Sequence, residues 1–427
     1  MALSLLAYFY EQILTSTALS TRTYFPNLDG LRTIACLAVF CCHSFFAVTR
    51  EGVLESWVYR YGLNVFKNGN LGVNFFFVLS GFLITYLLLE EERQNGRYAI
   101  GAFYRRRIFR IWPLYYACVF FGFVVMRWAK THSGQPWHEP ADPMLFVTFL
   151  ANFDAIFNNA EASAVNLNVL WSVAIEEQFY LVWPLLLLIF RRNRLAVFLL
   201  LIAASMAFRY VHAHEFLILY QHTFSVMSDL VMGGATAWLC FNYEGFRNWV
   251  QNWSRKSVAI GYGIGLVLIV IPQEWTITPF VVVQRVLLAF FFVFVILEQS
   301  YTTRSLWKIS NNRFLSYWGT YTYGFYCLHF ICIQAVLLVV RHYWTGPVNV
   351  SFVLLYSGLS LPVSGAVAWL SYRLFEQPFL RLKGRSSTAP AASTPATAPV
   401  TLALPQDASE PALGVAAQPS ATPLQYK

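Results

Sequence analysis

The sequence predicts an all-α fold, a polytopic membrane bundle of about ten transmembrane helices. Of its 427 residues, 57% are hydrophobic and only 12% are charged, with a mean hydropathy of +0.49. A soluble domain carries roughly 25% charged residues. The apolar residues also fall in runs of about 20, the length that crosses a hydrocarbon layer roughly 30 Å thick.

Ten such runs follow one another along the chain. In order they cover residues 31–49, 71–90, 110–127, 169–190, 195–213, 223–243, 257–273, 277–297, 320–341 and 350–372. Pro113 and Pro184 fall inside runs, where membrane helices tolerate kinks. Each run is therefore predicted to be one membrane-spanning helix.

The formal charge of +9 is distributed in short basic clusters between the apolar runs. The clusters lie near 93–110, 191–194, 247–256 and 304–313, which alternate regularly with the predicted spans. Basic residues favour the cytoplasmic side of a membrane. The pattern therefore predicts cytoplasmic loops here, cytoplasmic N- and C-termini and contact with the lipid bilayer, and it argues against a nucleic-acid partner.

Three segments are predicted along the chain. Residues 1–30 form an N-terminal cytoplasmic or interfacial segment, because they have neither a basic start nor a small-residue cleavage site. Residues 31–382 form the transmembrane domain. Residues 383–427, rich in Pro and Ala, form a disordered tail. The seven cysteines lack metal-type spacing, so neither a metal site nor a disulfide framework is expected.

The first span carries a histidine far from its polar start. Asp29 and Arg32 open the span, and His43 lies about 17 Å further along the helix axis, roughly two-thirds of the way through the span. A titratable group at that depth is costly in hydrocarbon. His43 is therefore predicted to be functional.

The fourth span supplies two acidic neighbours. Glu176 and Glu177 are expected about 10–12 Å below the outer surface, which is also the depth expected for His43. A carboxylate that faces an imidazole orients it for proton transfer, and successive helix residues point about 100° apart, so at most one of the two faces His43. The alternative is that other helices satisfy each carboxylate.

The third span opens with a basic cluster that includes Arg106, Arg107 and Arg110. Arg107 and Arg110 share one helix face, Arg32 belongs to the same surface, and guanidinium groups suit phosphate oxygens. Anchoring to anionic lipid headgroups explains the cluster equally well. In the second span, Asn74 and Ser80 are expected to pack helices together or to line a channel.

Other polar residues of the spans are weighed in the same way. Asn74 lies near the expected depth of His43 and is a candidate donor to a developing oxyanion. His329, one turn after Tyr326 in the ninth span, is expected to bond to a neighbouring helix. Arg285, in the eighth span, is expected to pair with a carboxylate or to reach outward.

Together these residues suggest a donor with a phosphate-bearing head and a long arm. Acyl-coenzyme A has that shape, and it acts as a donor substrate rather than a permanently bound cofactor. Its phosphates bind the arginines and its thioester reaches His43. His43 then acts as general base for a hydroxyl acceptor that approaches from the outside.

Four stretches of the chain resemble the acyltransferase-3 family of integral-membrane O-acyltransferases. They are NLDGLRTIACLAVFCCH at 27–43, GVNFFFVLSGFLIT at 72–85, RRRIFRIWPLYY at 105–116 and WSVAIEEQFYLVWPLLL at 171–187. Weaker similarity occurs at YTYGFYCLH (321–329) and YRLFEQPFL (372–380).

The resemblance implies a ten-helix bundle in a bacterial inner membrane that moves acyl groups from a cytoplasmic donor to hydroxyls of exported glycans, glycolipids or small molecules, a form of polysaccharide modification. The group moved is often acetyl, so acetyl-coenzyme A is the expected donor. It implies that His43 is the essential histidine, that Arg107 and Arg110 are the Arg-x-x-Arg motif, and that Glu176 and Glu177 are the acidic pair. Some relatives carry a fused hydrolase-like domain that completes the transfer outside the membrane. This chain has a Pro/Ala-rich tail instead, so any such partner is expected to be a separate protein.

Two other functions use the same residues. A transporter or flippase of acylated or lipid-linked sugars would use the intramembrane polar groups as a pathway, but such proteins often show broken helices and inverted repeats. A non-catalytic scaffold gives no reason to bury His43 near two carboxylates. The enzyme is therefore the favoured interpretation, and the sequence makes no prediction of oligomeric state.

Overall fold

Ten helices of a bundle follow the ten apolar runs. In the computed structural model, which describes residues 25–48, 53, 56–134, 136–270 and 278–382, we number them by chain order. They are α1 Pro26–Phe45, α2 Leu71–Asn95, α3 Ile100–Phe120, α4 Leu170–Ile189, α5 Arg194–Val211, α6 Thr223–Asn242, α7 Arg255–Val270, α8 Thr278–Tyr301, α9 Thr322–Tyr343 and α10 Val350–Ser371. No strand occurs in the described residues, so the all-α prediction is confirmed.

Two helices continue beyond these bounds. A π turn at Phe121–Val125 links α3 to a further helix, Met126–His132, and a π turn at Tyr372–Glu376 links α10 to Gln377–Leu382. Most of the predicted N-terminal segment and the predicted tail lie outside the described residues. Residues 25–30 are described, and they place the start of α1 at Pro26 rather than after residue 30.

Within the described ranges, nine helices are long and apolar enough to cross a membrane, and ten if one bent pair counts as a single span. That pair joins Glu244–Gln251 to α7 at an angle of 91°. The predicted seventh span, 257–273, overlaps α7 up to residue 270, and its last three residues lie outside the described residues. The bend lies before residue 255, so it separates a short preceding helix from the described part of the span.

Glycines let α2 lie close to two neighbouring helices. A Cβ at Gly81 would lie 1.8 Å from the carbonyl oxygen of Leu230 in α6, and one at Gly233 of α6 would lie 1.9 Å from that of Val78. On the other side, a Cβ at Gly72 would lie 2.4 Å from the oxygen of Ala35 in α1. Small residues permit such backbone approach in membranes, so α2 is held between α1 and α6.

The basic loops lie together at one end of the bundle. Arg194 donates to Glu92 at 2.8 Å, which joins the start of α5 to the end of α2. The backbone amide of Thr303 donates to the oxygen of Gln251 at 3.3 Å, which joins two further loops. We call this end, which also holds Arg32, the arginine end. The opposite end, which holds His43, is the histidine end.

α1 is shorter than the apolar run suggests. It ends at Phe45, so His43 lies in its last turn, and the expectation that His43 lies two-thirds of the way through the helix is wrong. The chain that follows α1 explains why the helix ends at Phe45. A π turn at Val58–Gly62 and a 3₁₀ helix at Leu63–Asn70 pack back on α1, with the rings of Phe46 and Tyr59 5.4 Å apart.

Candidate active site

A cavity of about 510 Å³ opens between α1, α2, α3, α4 and α9. Its α2 wall runs from Leu87 to Val73, fourteen residues or about 21 Å of helix, so the cavity is long and narrow. The polar residues that line it are Asp29, Arg32, Ser80, Arg106, Arg107, Arg110, Ser172, Glu176, Tyr180, Thr322, Tyr323 and Tyr326.

All four predicted arginines line this cavity, and two of them already have acidic partners. Arg32 pairs with Asp29, and Arg106 pairs with Glu91 at 3.1 Å. The guanidinium of Arg107 lies over the ring of Tyr180 at 5.2 Å, while Arg110 is exposed. Four guanidinium groups and two carboxylates line the cavity, so positive charge is in excess. Such a surface is suited to an anionic head group.

Glu176 faces the same cavity from α4. Its Oε2 accepts a hydrogen bond from the Tyr180 hydroxyl at 2.5 Å and a longer one from Ser80 Oγ at 3.5 Å. Ser80 and Tyr180 also share a hydrogen bond. Ser80 therefore lies in the cavity wall, where the channel prediction placed it, and Glu176 is held on the arginine side of the cavity.

Glu177 points in a different direction, as the 100° rotation between neighbours requires. Its Oε2 accepts from Trp112 Nε1 at 2.8 Å, and its Oε1 is buried without a hydrogen bond to any described residue. Phe149 packs on Trp112, with ring centroids 5.4 Å apart, and holds a φ of 57°. Such a backbone conformation is costly for a bulky residue and is found where surrounding structure enforces it.

The two intramembrane histidines meet at the histidine end. His43 Nδ1 lies 2.8 Å from His329 Nε2, and the two ring planes differ by 9°. His329 Nδ1 lies 2.6 Å from the backbone oxygen of Tyr326. Phe330 packs against the His43 ring at 4.4 Å. The partner of His43 is therefore a second histidine.

The prediction that Glu176 or Glu177 faces His43 at one membrane level is wrong. Ser172 of α4 bonds to Tyr326, which lies one turn from His329 toward the arginine end. Glu176 lies four residues further along α4 in the same direction. Together these steps place Glu176 about 10 Å from the level of the histidine pair.

The error comes from where α4 begins. Asn166 donates to the carbonyl oxygen of Cys118 at 3.0 Å, deep in the bundle. α3 and its continuation run fourteen residues, about 21 Å, beyond Cys118 to His132. The chain before α4 therefore dips into the bundle, and counting Glu176 from the outer surface places it too high.

Tyr326 closes the cavity next to the histidines. Its hydroxyl shares a hydrogen bond of 2.7 Å with Ser172, and its ring lies 5.9 Å from that of His329. Phe76 packs against Tyr326 at 6.3 Å and also lines the cavity. The cavity thus connects the arginines to a tyrosine that touches the histidine pair, one helical turn short of it.

The prediction that Asn74 lines the channel is wrong. Its amide oxygen, oriented toward α8, accepts from Arg285 Nε at 3.0 Å. Arg285 Nη2 also pairs with Asp229 of α6 at 2.5 Å, which confirms the expectation of a carboxylate partner. All three residues are buried. Asn74 is thus committed to this separate cluster and is not available to an oxyanion near His43.

The sequence alone gives little or no indication that several residues belong to the site. Tyr326 and His329 stand one turn apart in an apolar run, a spacing that fits packing as well as function. Ser172 and Tyr180 are single hydroxyls in the fourth run. Their partners lie on other helices, so only contacts across the bundle identify them.

Comparison with known proteins places this site in a family. A family model described as an acyltransferase domain matches residues 25–369. The peptidoglycan O-acetyltransferase OatA of Listeria monocytogenes is 28% identical over 379 residues, 84% of this chain and 56% of that protein. A Staphylococcus aureus protein provisionally named an O-acetyltransferase is 28% identical over 394 residues, 86% of this chain and 60% of its own.

A Bacillus subtilis protein provisionally named a peptidoglycan O-acetyltransferase is 33% identical over 172 residues, 39% of this chain and 24% of its own length. The chain therefore spans less than two thirds of the length of these relatives. No solved structure matches it. Because the family match covers most of the chain, including every helix that builds the cavity, this chain belongs to the acyltransferase-3 family.

Proposed function

We propose that this chain, through its transmembrane domain at 31–382, is a membrane O-acetyltransferase of the bacterial inner membrane. It moves an acetyl group from cytoplasmic acetyl-coenzyme A to a hydroxyl of an exported glycan, glycolipid or small molecule. The proposal rests on one cavity, which is lined by four arginines at one end and by Tyr326 at the other. Tyr326 contacts His329, which pairs with His43.

The donor binds with its phosphates at the arginine end. Arg32, Arg107 and Arg110 line the mouth, and guanidinium forks bind phosphate oxygens through charge-assisted hydrogen bonds. The arm of the donor extends along α2 past Ser80. This assignment makes the arginine end cytoplasmic, in agreement with the positive-inside rule.

The thioester passes Tyr326 to reach His43. In the proposal, the Tyr326 side chain leaves Ser172 when the arm is bound and opens the last turn of the path. Glu176 and Glu177, expected to be catalytic, act in this proposal as positioning residues on the arginine side. Glu176 holds Tyr180 and Ser80 around the arm.

The chemical step is an acyl transfer between sulfur and oxygen. The acceptor hydroxyl oxygen attacks the thioester carbonyl, and His43 removes the hydroxyl proton as the new C–O bond forms. The C–S bond then breaks, and the thiolate takes the proton from His43. General base catalysis of this kind contributes about 10² to 10⁴ in rate.

The acceptor is proposed from chemistry and from the relatives. Approach from the histidine end means approach from outside the cell, where hydroxyl-bearing glycans are found. Because two relatives carry peptidoglycan in their names, peptidoglycan is the first acceptor to test.

The test uses inside-out vesicles from a bacterium that expresses the full chain. Acetyl-coenzyme A labelled in its acetyl group is supplied to the cytoplasmic face, and base-labile label is counted in the glycan and lipid fractions. We expect His43→Gln to lose at least about 100-fold in transfer rate. His132→Gln, which changes an exposed histidine beyond α3, should retain the original rate.

The outcomes separate the two functions. If the thioester stays intact while acetylated or sugar-lipid substrates change sides, the chain is a transporter. If His43→Gln, expressed and folded as the original protein, transfers label at the full rate, His43 has no catalytic role and the proposal fails.

A further inference from the structure

The histidine pair carries an inference about the protonation of His43, and it rests on the proposed function. We infer that His329 is a positioning residue that fixes His43 in the tautomer with hydrogen on Nδ1, and so leaves Nε2 as the free base. A neutral imidazole held by the backbone takes the place of the carboxylate that a triad uses.

The backbone of α9 determines which nitrogen of His329 carries hydrogen. A carbonyl oxygen is only an acceptor, so the 2.6 Å contact from Tyr326 oxygen requires a hydrogen on His329 Nδ1. A neutral imidazole carries one N–H. His329 Nε2 therefore carries a lone pair and accepts a hydrogen bond.

The lone pair on His329 determines the tautomer of its neighbour. His43 Nδ1 lies 2.8 Å from His329 Nε2, so His43 must carry its hydrogen on Nδ1. The rings lie edge to edge, because 2.8 Å is closer than the roughly 3.5 Å at which stacked atoms touch and the planes differ by only 9°. A near-linear N–H···N bond follows from this geometry.

The opposite arrangement needs a charged imidazole. If His329 donated from Nε2 while its Nδ1 also donated to Tyr326, it would be an imidazolium. Among the described residues, no carboxylate forms a hydrogen bond or ion pair with either ring, and an unpaired charge at this depth is costly. The neutral chain from Tyr326 through His329 to His43 is therefore the stable one.

This arrangement prepares His43 for the proposed step. Its Nε2 makes no hydrogen bond to any described residue, and Phe330 packs against the ring face at 4.4 Å. The ring is thus held on one edge and one face, with the basic nitrogen on the remaining edge. Loss of the His329 acceptor allows His43 to rotate or to adopt the other tautomer, which places hydrogen on the nitrogen that must act as base.

The kinetic test compares two substitutions of His329. His329→Gln keeps an acceptor oxygen near the position of Nε2, whereas His329→Phe keeps the ring volume and removes the acceptor. We expect the phenylalanine variant to lose about 100-fold in transfer rate at saturating acetyl-coenzyme A and the glutamine variant to recover most of it. Affinity for the donor should stay unchanged in both, and His342→Phe, at the exposed end of α9, is the matched control.

A spectroscopic test does not depend on activity. In full-length protein labelled with ¹⁵N-histidine, the signals that vanish in His43→Gln belong to His43. They should report hydrogen on Nδ1 in the original protein and in His329→Gln, and a mixture of tautomers in His329→Phe. Hydrogen on Nε2 of His43 in the original protein would overturn the inference.

The two hypotheses fail in different ways. Full activity of His329→Phe beside an inactive His43→Gln overturns the positioning role and leaves the proposed function standing. Full activity of His43→Gln overturns the proposed function, and the tautomer of His43 then decides the inference alone.

Discussion

Two polar clusters of this bundle, the arginine cavity and a closed cluster around Arg285, differ in what surrounds them. The arginine cavity, lined by Arg32, Arg106, Arg107 and Arg110, opens into about 510 Å³ of space. The closed cluster of Arg285, Asp229 and Asn74 does not line that cavity, and its guanidinium is bonded to a carboxylate and an amide. Both place guanidinium groups among apolar helices, yet only one leaves room for a ligand.

Charge inside a membrane segment is therefore an incomplete sign of a binding site. A buried guanidinium is costly without partners, and the closed cluster meets that cost within the protein. In the arginine cavity, Arg110 is exposed and Arg107 meets an aromatic ring instead of forming an ion pair with a described residue. Hydrogen-bonding capacity left over for a ligand distinguishes the arginine cavity from the closed cluster.

Disruption of the closed cluster should change the protein more than any other substitution proposed below. Arg285→Leu removes the guanidinium that pairs with Asp229, a carboxylate that is 1% exposed, and leaves it only the charge of the buried Arg209. Removal of one member of a buried pair costs about 3–5 kcal/mol of folding free energy. The protein in detergent is heated to a series of temperatures, and size-exclusion chromatography measures how much remains folded at each. The midpoint temperature of unfolding should be strongly lowered in the variant.

The double variant Asp229→Asn/Arg285→Gln is the control for that experiment, because it removes both charges and keeps polar partners for Asn74. It should recover most of the lost stability. A double variant no more stable than Arg285→Leu would show that the pair has no special role, and the contrast between the two clusters would weaken.

The second prediction concerns the arginine cavity. Arg107→Gln removes one guanidinium from the proposed phosphate site, and a hydrogen bond to a charged group is worth about 1.5–3 kcal/mol. Acetyl-coenzyme A should therefore bind about 10- to 100-fold more weakly, since each 1.4 kcal/mol is a factor of ten. Equilibrium titration of the purified protein measures this change, and Arg97→Gln, at an exposed position before α3, should bind as the original protein does.

A donor analogue without phosphate sharpens the assignment. S-acetylpantetheine keeps the thioester and most of the arm, so the original protein and Arg107→Gln should bind it equally well. If the variant loses the same factor for both donors, Arg107 does not hold phosphate, and its effect acts through the packing on Tyr180.

These clusters also mark how far the sequence alone leads. Hydropathy places all ten helices because each run must satisfy the same hydrocarbon thickness, and the spacing of Arg107 and Arg110 predicts a shared face correctly. Both are local properties of one helix. The partners of Asn74 and Arg285 lie on other helices and follow from packing.

Depth is the property that the sequence predicts worst. Counting residues from a helix end assumes that the end lies at the membrane surface. α4 begins deep in the bundle, close to where Asn166 bonds to Cys118, so the count places Glu176 at the level of His43 when the two levels differ by about 10 Å. His329, separated from His43 by 286 residues, has no local signal that names its partner.

The hydrogen bond between Ser172 and Tyr326, which lies between the cavity and the histidine pair, should give the weakest effect when it is removed. Ser172→Ala and Tyr326→Phe each remove the same hydrogen bond, which holds the Tyr326 ring across the path and is worth about 0.5–1.5 kcal/mol. Each should therefore raise the breakdown of acetyl-coenzyme A in the absence of acceptor by at most about tenfold. Tyr326→Phe also removes the 3.3 Å hydrogen bond that the Tyr326 hydroxyl donates to the Val169 oxygen, so the double variant should equal Tyr326→Phe alone rather than the product of the two effects. Additive effects, or a slower breakdown in either variant, would mean that this hydrogen bond does not close the path, and His43 would then have to receive the thioester by a route other than the arginine cavity.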